Sequence, residues 1–418
     1  MYLASTGAAA ATAQLTRGRV AGPVLALGTV SLVTDISSEM VTAVLPLYFV
    51  LQLGLSPLQF GFLDGLYNGV TALVRLVGGH AADRGGRHKL VAGAGYALSA
   101  VSRLGLLLAG GGTAGISAAI AADRIGKGVR TAPRDALISL SSPPDALGRA
   151  FGVHRAMDTT GALLGPLAAF ALLWATADAY DAVFVVSFCV GLLGVLLLVA
   201  FVPGRDALGP VAAAAGPRTP LRHRIAEPLR DAAFRRIMLA AALLGAATIG
   251  DSFVYLLLQK QLDFAVRWFP LLPLGTAAVY LLLAVPAGRL GDRVGRRVPF
   301  LFGHAALLAA YLLLLTVDDG TVLPAGVLVL VGVFYAATDG VLMALAGPVL
   351  PAARQASGMA LLQTGQALCR LLAAAGFGAV WTLWGSRTAL VVAVVVLAAA
   401  LAGAAVLLPR TERRPSWS

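Results

Sequence analysis

Twelve long apolar segments constrain the fold of this chain more than any other feature. As a helix, each is long enough to cross the roughly 30 Å hydrocarbon core of a bilayer. With 58% hydrophobic and 12% charged residues among 418, the chain is too apolar for a soluble globule. We therefore predict an all-α membrane protein with twelve transmembrane helices, over residues 24–51, 58–80, 89–109, 114–139, 148–174, 182–202, 236–259, 268–288, 298–316, 322–349, 355–383 and 388–408.

The basic residues between these segments predict an orientation. One side of the membrane receives 21 Lys and Arg residues in its loops and termini, whereas the other receives only Lys260, Arg267 and Arg387. By the positive-inside rule, we expect both termini to be cytoplasmic in a multi-pass membrane protein. The net charge of +12 is thus a topology signal, and we expect the lipid bilayer rather than nucleic acid as partner.

A linker rich in proline and arginine divides the segments into two sets of six. We predict a cytoplasmic N-terminal segment, a first six-helix bundle, a cytoplasmic linker, a second six-helix bundle and a cytoplasmic tail. Their residues are 1–23, 24–202, 203–235, 236–408 and 409–418.

A repeated loop supports this division. Asp83 follows the second segment and Asp292 follows the eighth, 209 residues apart, each among arginines and glycines. Two copies at matching positions indicate two pseudo-symmetric bundles. Because a carboxylate there can accept hydrogen bonds from arginine or a helix N-terminus, we expect the loops to gate the two halves. The gating residues are Gly79, Asp83, Arg84, Gly86 and Arg87, and Gly288, Asp292, Arg293, Gly295 and Arg296.

The fourth segment carries four bases on one helical face, at about 100° per residue: Arg124, Lys127, Arg130 and Arg134. Each ionised residue at mid-bilayer costs roughly 2.5–3.5 kcal/mol, so we expect this face to point into the protein. The first segment carries Asp35 and Glu39 one turn apart. Counting about 1.5 Å per residue from each segment's start places Asp35 and Arg124 at similar depth. We predict a contact between them, either as a structural ion pair or with a titrating Asp35.

Further polar residues lie in other segments. In the fifth, His154 and Asp158 share a face and could pair. The predicted coupling and cavity residues are Asp35, Glu39, Arg124, Lys127, Arg130 and Asp158. The second half has fewer buried charges, so we expect it to supply apolar substrate contacts, with candidates Phe253, Tyr255, Phe334, Tyr335, Gln363 and Gln366.

These motifs together resemble the major facilitator superfamily over nearly the whole chain. The G-x-x-x-D-R-x-G-R-R loop is its signature, and Arg124-x-x-x-Gly128 matches a motif associated with proton coupling. The helix-5 motif of Gly161, Gly165 and Pro166 matches the core of an antiporter motif, although Leu167 and Ala168 replace the usual small pair. The run from Asp35 to Met40, D-I-S-S-E-M, resembles a bacterial subgroup, which implies a location in a bacterial inner membrane.

The resemblance implies a secondary active transporter working by alternating access. We expect a monomeric, proton-coupled exporter (antiporter) of a small molecule, driven by the proton gradient without a cofactor. Uptake or facilitated transport of an organic anion, lipid flipping, and a non-transporting receptor or assembly role are the alternatives. The sequence shows no P-loop, zinc-ligand spacing or nucleophile elbow, so we expect neither an enzyme nor a metal site.

The gating interpretation of the repeated loop predicts a phenotype. Asp83→Asn should loosen the outward-facing state and lower turnover, because the neutral amide binds arginine less strongly. Transport assays and the accessibility of cytoplasmic cysteine probes test this. Unchanged values of both would contradict a gating role.

Overall fold

The computed structural model describes residues 21–66, 74, 88–109, 112–142, 147–203, 228–317, 320, 322–338, 341–346, 349 and 352–408. Over these residues the backbone is helical, with short connections and no strand. Each of the twelve predicted segments is mainly helical where it is described, although residues 248–250 interrupt the seventh. In the described part, eight helices are long and apolar enough to cross a membrane. The helix carrying the charged stretch 123–135 is not one of them.

The first half contains helices α1 to α6. α1 continues into a π-helical turn, Tyr48–Gln52, and α2 is described only over 57–66. The other bounds are Gly22–Leu47 for α1, His88–Leu108 for α3, Thr113–Leu140 for α4, Leu147–Ala175 for α5 and Tyr180–Phe201 for α6.

The second half contains helices α7 to α12, of which α7 is interrupted. α7 consists of α7a, Ala232–Ala247, and α7b, Asp251–Leu262. α8 is Leu271–Val294, α9 is Arg297–Thr316, and α10 is described over Val322–Thr338 and Val341–Ala346. Helical structure then runs over Ala352–Leu407, where Gly385, with a φ of 85°, separates α11 (352–384) from α12 (386–407). Single 3₁₀ turns cover Pro228–Arg230 and Val266–Trp268.

The packing repeats between the halves, as predicted for two pseudo-symmetric bundles. α1 packs against α5, and α7a packs against the continuous helix that contains α11. Likewise α3 packs against α4, and α9 against α10. A shift of six helices thus relates the main contacts of one bundle to those of the other.

The outer faces of several helices carry apolar side chains away from the protein interior. On α6, Leu192, Leu196 and Val199 are exposed, and on α12 Val391 and Val395 are exposed. Such exposed apolar faces are expected where helices contact lipid. Small residues line the opposite contacts, where they let helix backbones approach closely.

The two halves meet at the end that is predicted to be external, which bears residues 52–57, 176–180, 263–270 and 385. There Arg267 lies 3.8 Å from Asp178, and the Trp268 ring lies 5.3 Å from Phe170. The backbone N–H of Leu58 also donates to the Thr382 hydroxyl over 3.0 Å. We call this the external end. Contacts across it close the space between the halves on that side.

α7 is broken where the sequence predicts one continuous helix. Residues 248–250 are not helical, and the backbone N–H of Ile249 donates to the Tyr311 hydroxyl over 3.1 Å. Gly250 is extended and precedes the first residue of α7b. Hydropathy could not predict the break, since it does not interrupt the apolar run.

The gating loops are only partly described. Gly79, Asp83, Arg84, Gly86 and Arg87 lie outside the described residues. In the second copy, Gly288 and Asp292 lie in α8, but the side chain of Asp292 is also outside the described set. Arg293 is exposed in the last turn of α8, and Gly295, with a φ of 86°, ends the helix; Arg296 then lies at the N-cap of α9. Only glycine adopts that conformation readily. The gating role itself stays a prediction.

Close packing of α5 on α1 gives a stability prediction. A methyl group on Gly161 would clash with the Leu32 carbonyl. Gly161→Ala should therefore destabilise the protein by about 1–3 kcal/mol. Gly376→Ala is the matched control, because nothing lies within 4 Å of the added carbon. Unfolding of both variants in detergent measures the difference, and equal stabilities would contradict the packing account.

Candidate functional site

Two ion pairs join α1 to α4 inside the first bundle. Asp35 Oδ1 lies 3.3 Å from Arg130 Nη2, and Glu39 Oε1 lies 3.6 Å from Lys127 Nζ. The two acids are one turn apart on α1, and the two bases are nearly one turn apart on α4. Since the higher-numbered acid pairs with the lower-numbered base, the helices run antiparallel at this point. We call these contacts the ion-pair ladder.

The ladder corrects the predicted partner of Asp35. Arg124 contacts Asp123 instead, through both Nε and Nη2. The reason is the length of α4: its 28 residues make about 42 Å at 1.5 Å each, longer than the hydrocarbon core. Counting depth from the start of that helix therefore placed Arg124 too near the membrane centre.

Arg130 contacts groups from two other helices, Asp35 of α1 and Tyr96 of α3. Its guanidinium carbon lies 4.4 Å from the centre of the buried Tyr96 ring of α3, a cation–π distance. Both Arg130 and Asp35 are buried, with 2% and 7% of their surfaces exposed. Beside them the Ser31 hydroxyl hydrogen-bonds His154 Nε2 over 2.9 Å. The predicted polar residues of α1, α4 and α5 thus meet in one interior region.

Asp158 brings a second carboxyl group to Asp35. The two side chains lie within hydrogen-bonding reach of each other, and Asp158 Oδ1 also lies 3.6 Å from Arg134 Nη1. A carboxylate has no hydrogen to donate, so a hydrogen bond between two carboxyl groups requires a proton on one of them. Dyads of this kind hold one proton between two acids.

The helix-5 motif explains why these acids are so close. Gly161 packs on the backbone of Leu32, and a carbon added at Gly165 would lie 2.6 Å from Glu39 Cβ. Both glycines therefore let α5 approach the face of α1 that carries Asp35 and Glu39. Pro166 follows inside the helix and is buried. The predicted close packing is confirmed, whereas an antiport role for the motif is not tested by it.

Arg103 of α3 is a charged residue of this region that the sequence analysis missed. It is buried, lies 3.7 Å from Asp123 and donates to Ser38 over 2.9 Å. Asp123 thus contacts two guanidinium groups. Beside them is a cavity of about 20 Å³, lined in part by Ser38, Thr42, Ser102, Arg103, Asp123 and Arg124. An arginine inside the third apolar segment was a usable signal, because charges are rare there.

Among the described side chains that form ion pairs in this polar region, charges of both signs are equal in number. The cations are Arg103, Arg124, Lys127, Arg130 and Arg134, and the acids are Asp35, Glu39, Asp123, Asp135 and Asp158. With every acid ionised the group is neutral. A proton held between Asp35 and Asp158 would leave it with one excess positive charge.

The second half holds a separate polar group around the break in α7. The Tyr335 hydroxyl lies 2.7 Å from both oxygens of Asp251, and the Tyr255 hydroxyl donates to Thr276 over 2.9 Å. Phe253 and Phe334, which were candidate substrate contacts, are fully buried in packing. Gln366 is half-buried, and the side chain of Gln363 lies outside the described set. In the part of the chain that the structure describes, no cluster of acids, histidines or cysteines could hold a metal ion.

The sequence profile of the Major Facilitator Superfamily matches residues 27–315 and 271–418. The chain belongs to this superfamily. Family membership, with the eight apolar helices of the described residues, indicates a multi-pass membrane protein of the transporter type and points away from an enzyme. The subgroup suggested by the D-I-S-S-E-M run stays a prediction.

Two proteins resemble part of this chain in sequence. An uncharacterized MFS-type transporter of Methanocaldococcus jannaschii is 32% identical over 174 residues, 41% of this chain and 42% of that protein. An uncharacterized protein of Mycobacterium tuberculosis is 35% identical over 158 residues, 38% of each chain. The matched region thus spans less than half the length of these relatives.

Solved structures cover nearly the whole chain. A mutant of the nucleoside transporter NupG has a TM-score of 0.79 at 15% identity, covering 93% of this chain and 100% of that one. A bacterial homologue of the human lysosomal transporter Spinster, inward-facing and occupied, has a TM-score of 0.71 at 18% identity, with coverages of 92% and 96%. At these identities the likeness shows the fold alone.

The Asp35–Arg130 pair predicts a thermodynamic coupling. Arg130→Gln should lower the free energy of unfolding by about 3–5 kcal/mol, because it leaves a carboxylate buried without its cation. Asp35→Asn combined with Arg130→Gln should recover most of that loss. Chemical unfolding in micelles, with the exposed Arg387→Gln as control, measures these values. Additive losses in the double variant would contradict the pairing.

Proposed function

We propose that this protein is a proton-coupled secondary transporter that exports a small molecule across a bacterial inner membrane. The observation that carries the proposal is the contact between the Asp35 and Asp158 carboxyl groups beside Arg130. A site that holds a proton between two acids, next to a cation, can exchange that proton for another partner.

The proton and Arg130 compete for Asp35. When Asp35 is ionised, its charge is compensated by Arg130 at 3.3 Å. When Asp35 binds a proton, the pair loses its Coulomb attraction and α4 is less firmly held to α1. Because α1 and α4 belong to the same bundle, this change alters the wall of the space between the halves. Alternating access would then follow from rocking of the two bundles.

Lys127 and Glu39 form the looser rung of the ladder. Their charged atoms are 3.6 Å apart, and about a quarter of each side chain is exposed. Their exposure makes them the ladder groups best placed to meet a substrate. A substrate carrying a positive charge could replace Lys127 at Glu39.

Transport of an organic anion receives less support. The argument for it was the surplus of bases on α4, yet Arg124, Lys127, Arg130 and Arg134 each contact a carboxylate. An anion would have to displace those carboxylates. The paired charges of α1 and α4 therefore favour export by exchange with protons. The proposal includes the proton gradient as the energy source and cytoplasmic termini.

Proteoliposomes with an imposed pH gradient test the proposed coupling. Asp35→Asn should abolish substrate-dependent proton flux, because an amide cannot exchange a proton, while the variant still inserts and folds. A pH-sensitive dye inside the vesicles reports the flux during a screen of cationic drugs, organic anions and metal chelates. Asp181→Asn, at the exposed start of α6, is the control. Retained proton coupling in Asp35→Asn would remove the assignment.

A further inference from the structure

A second carboxylate lies where the two halves meet. Asp64 of α2, in the first half, hydrogen-bonds the Ser252 side chain of α7b, in the second half. A carbon added at Gly250 would lie 2.6 Å from Asp64 Oδ2. The carboxyl group of one bundle therefore fills the space opened by the break in the other bundle's helix.

The surroundings of Asp64 include a like charge. Asp251 precedes Ser252 in α7b, and its negative charge acts on Asp64 across the contact between the halves. Asp251 in turn contacts Tyr335 of α10 and is within electrostatic range of Arg370 of α11. Two acids facing each other in an apolar interior repel when both are ionised. The close contact of the halves is thus unfavourable with two ionised acids.

Aromatic rings pack directly beside this contact. The Phe253 ring lies 4.8 Å from Phe60 of α2 and 4.8 Å from Phe377 of α11. Phe253 is fully buried between them. These rings join the two halves and separate Asp64 from the external end, where Leu58 bonds Thr382.

Glycines bring the backbones of α2 and α11 into close contact beside Asp64. This close packing leaves little room for the water that an ionised carboxylate binds. Gly61 of α2 packs on the Ala374 carbonyl, and Gly378 of α11 packs on the Pro57 carbonyl. A carbon added at Gly65, next to Asp64, would lie 3.0 Å from the Leu371 side chain. When the external end opens, α2 must leave α7b and α11, and Asp64 then faces the opening.

We propose that Asp64 is a second proton-coupling residue, which binds a proton from the external solution and thereby permits the external end to close. The inference rests on the proposed proton-coupled function. In the step, the ionised carboxylate takes up one proton to become a neutral acid, which can then donate a hydrogen bond at the break in α7. Release of that proton restores the charge and favours separation of the halves. Asp35 and Asp64 would thus bind protons at two different places.

Spin-label distances across the external end test this inference. Labels at Gln52→Cys and Arg387→Cys, both exposed, report the separation of the halves when Cys189 and Cys369 are replaced by serine. In lipid nanodiscs, the closed population should increase as the pH falls. Asp64→Asn should remove this pH dependence and stay closed, because its amide is neutral at every pH. Asp181→Asn should behave like the unsubstituted protein.

Two further variants keep the test decisive if Asp64→Asn does not fold. Gly250→Ala should favour the open external end at every pH, because its methyl group takes the place of the Asp64 carboxyl group; Gly376→Ala is the control. Ser252→Ala should shift the closing transition to lower pH, since the ionised acid loses a hydrogen-bond donor that it has only in the closed arrangement. Unchanged pH dependence in these variants, or in Asp64→Asn, would overturn the inference.

The labels require neither substrate nor proton flux, so the two proposals can fail separately. Closure that depends on pH and on Asp64, in a protein without proton flux, would retain this inference and remove the proposed function. Proton flux that depends on Asp35, with a closing transition in Asp64→Asn equal to that of the unsubstituted protein, would retain the proposed function and remove this inference.

Discussion

The structure of the first bundle depends on pairing charges inside a membrane. An ionised side chain is costly in hydrocarbon, so four bases on α4 can be retained only with acids close by. Asp35 and Glu39 of α1 supply two of them, and Asp158 of α5 lies beside Asp35. This requirement determines which helices are neighbours. The glycines of α5 then follow, because only small residues let α5 reach α1 at that level.

A paired charge in this position is also a bistable element. Breaking a buried pair by removing one charge is strongly unfavourable, yet adding a proton to the acid removes its charge without removing the side chain. The same residues can thus stabilise one arrangement and release it. The charges of the described ion-paired side chains in this network cancel, so a single added proton changes their net charge from zero to one.

The sequence predicted the helices well, because the apolar bilayer core requires long apolar segments and the orientation of the helices determines where basic loops lie. All twelve predicted segments are mainly helical where described, and the match to the superfamily covers residues 27–315 and 271–418. Pair assignments were less accurate. Asp35 and Arg130 were both predicted site residues, but Arg124 was chosen as the partner, since depth along a helix longer than the bilayer is ambiguous. The break in α7 and the contact of Asp64 with Ser252 involve packing between halves, which no local pattern encodes.

The glycine contacts between α2 and α11 imply how abruptly the external end can open. Gly61 and Gly378 each place a neighbouring backbone carbonyl against bare backbone, without a side chain to follow the motion. Dispersion contacts of this kind lose a quarter to a half of their energy within about 0.5–1 Å of separation. A slight parting of the two bundles would therefore forfeit much of the attraction at once, so partly open states should be sparsely populated. The glycines that stabilise the closed external end should therefore also limit the leakage of solutes through partly open states.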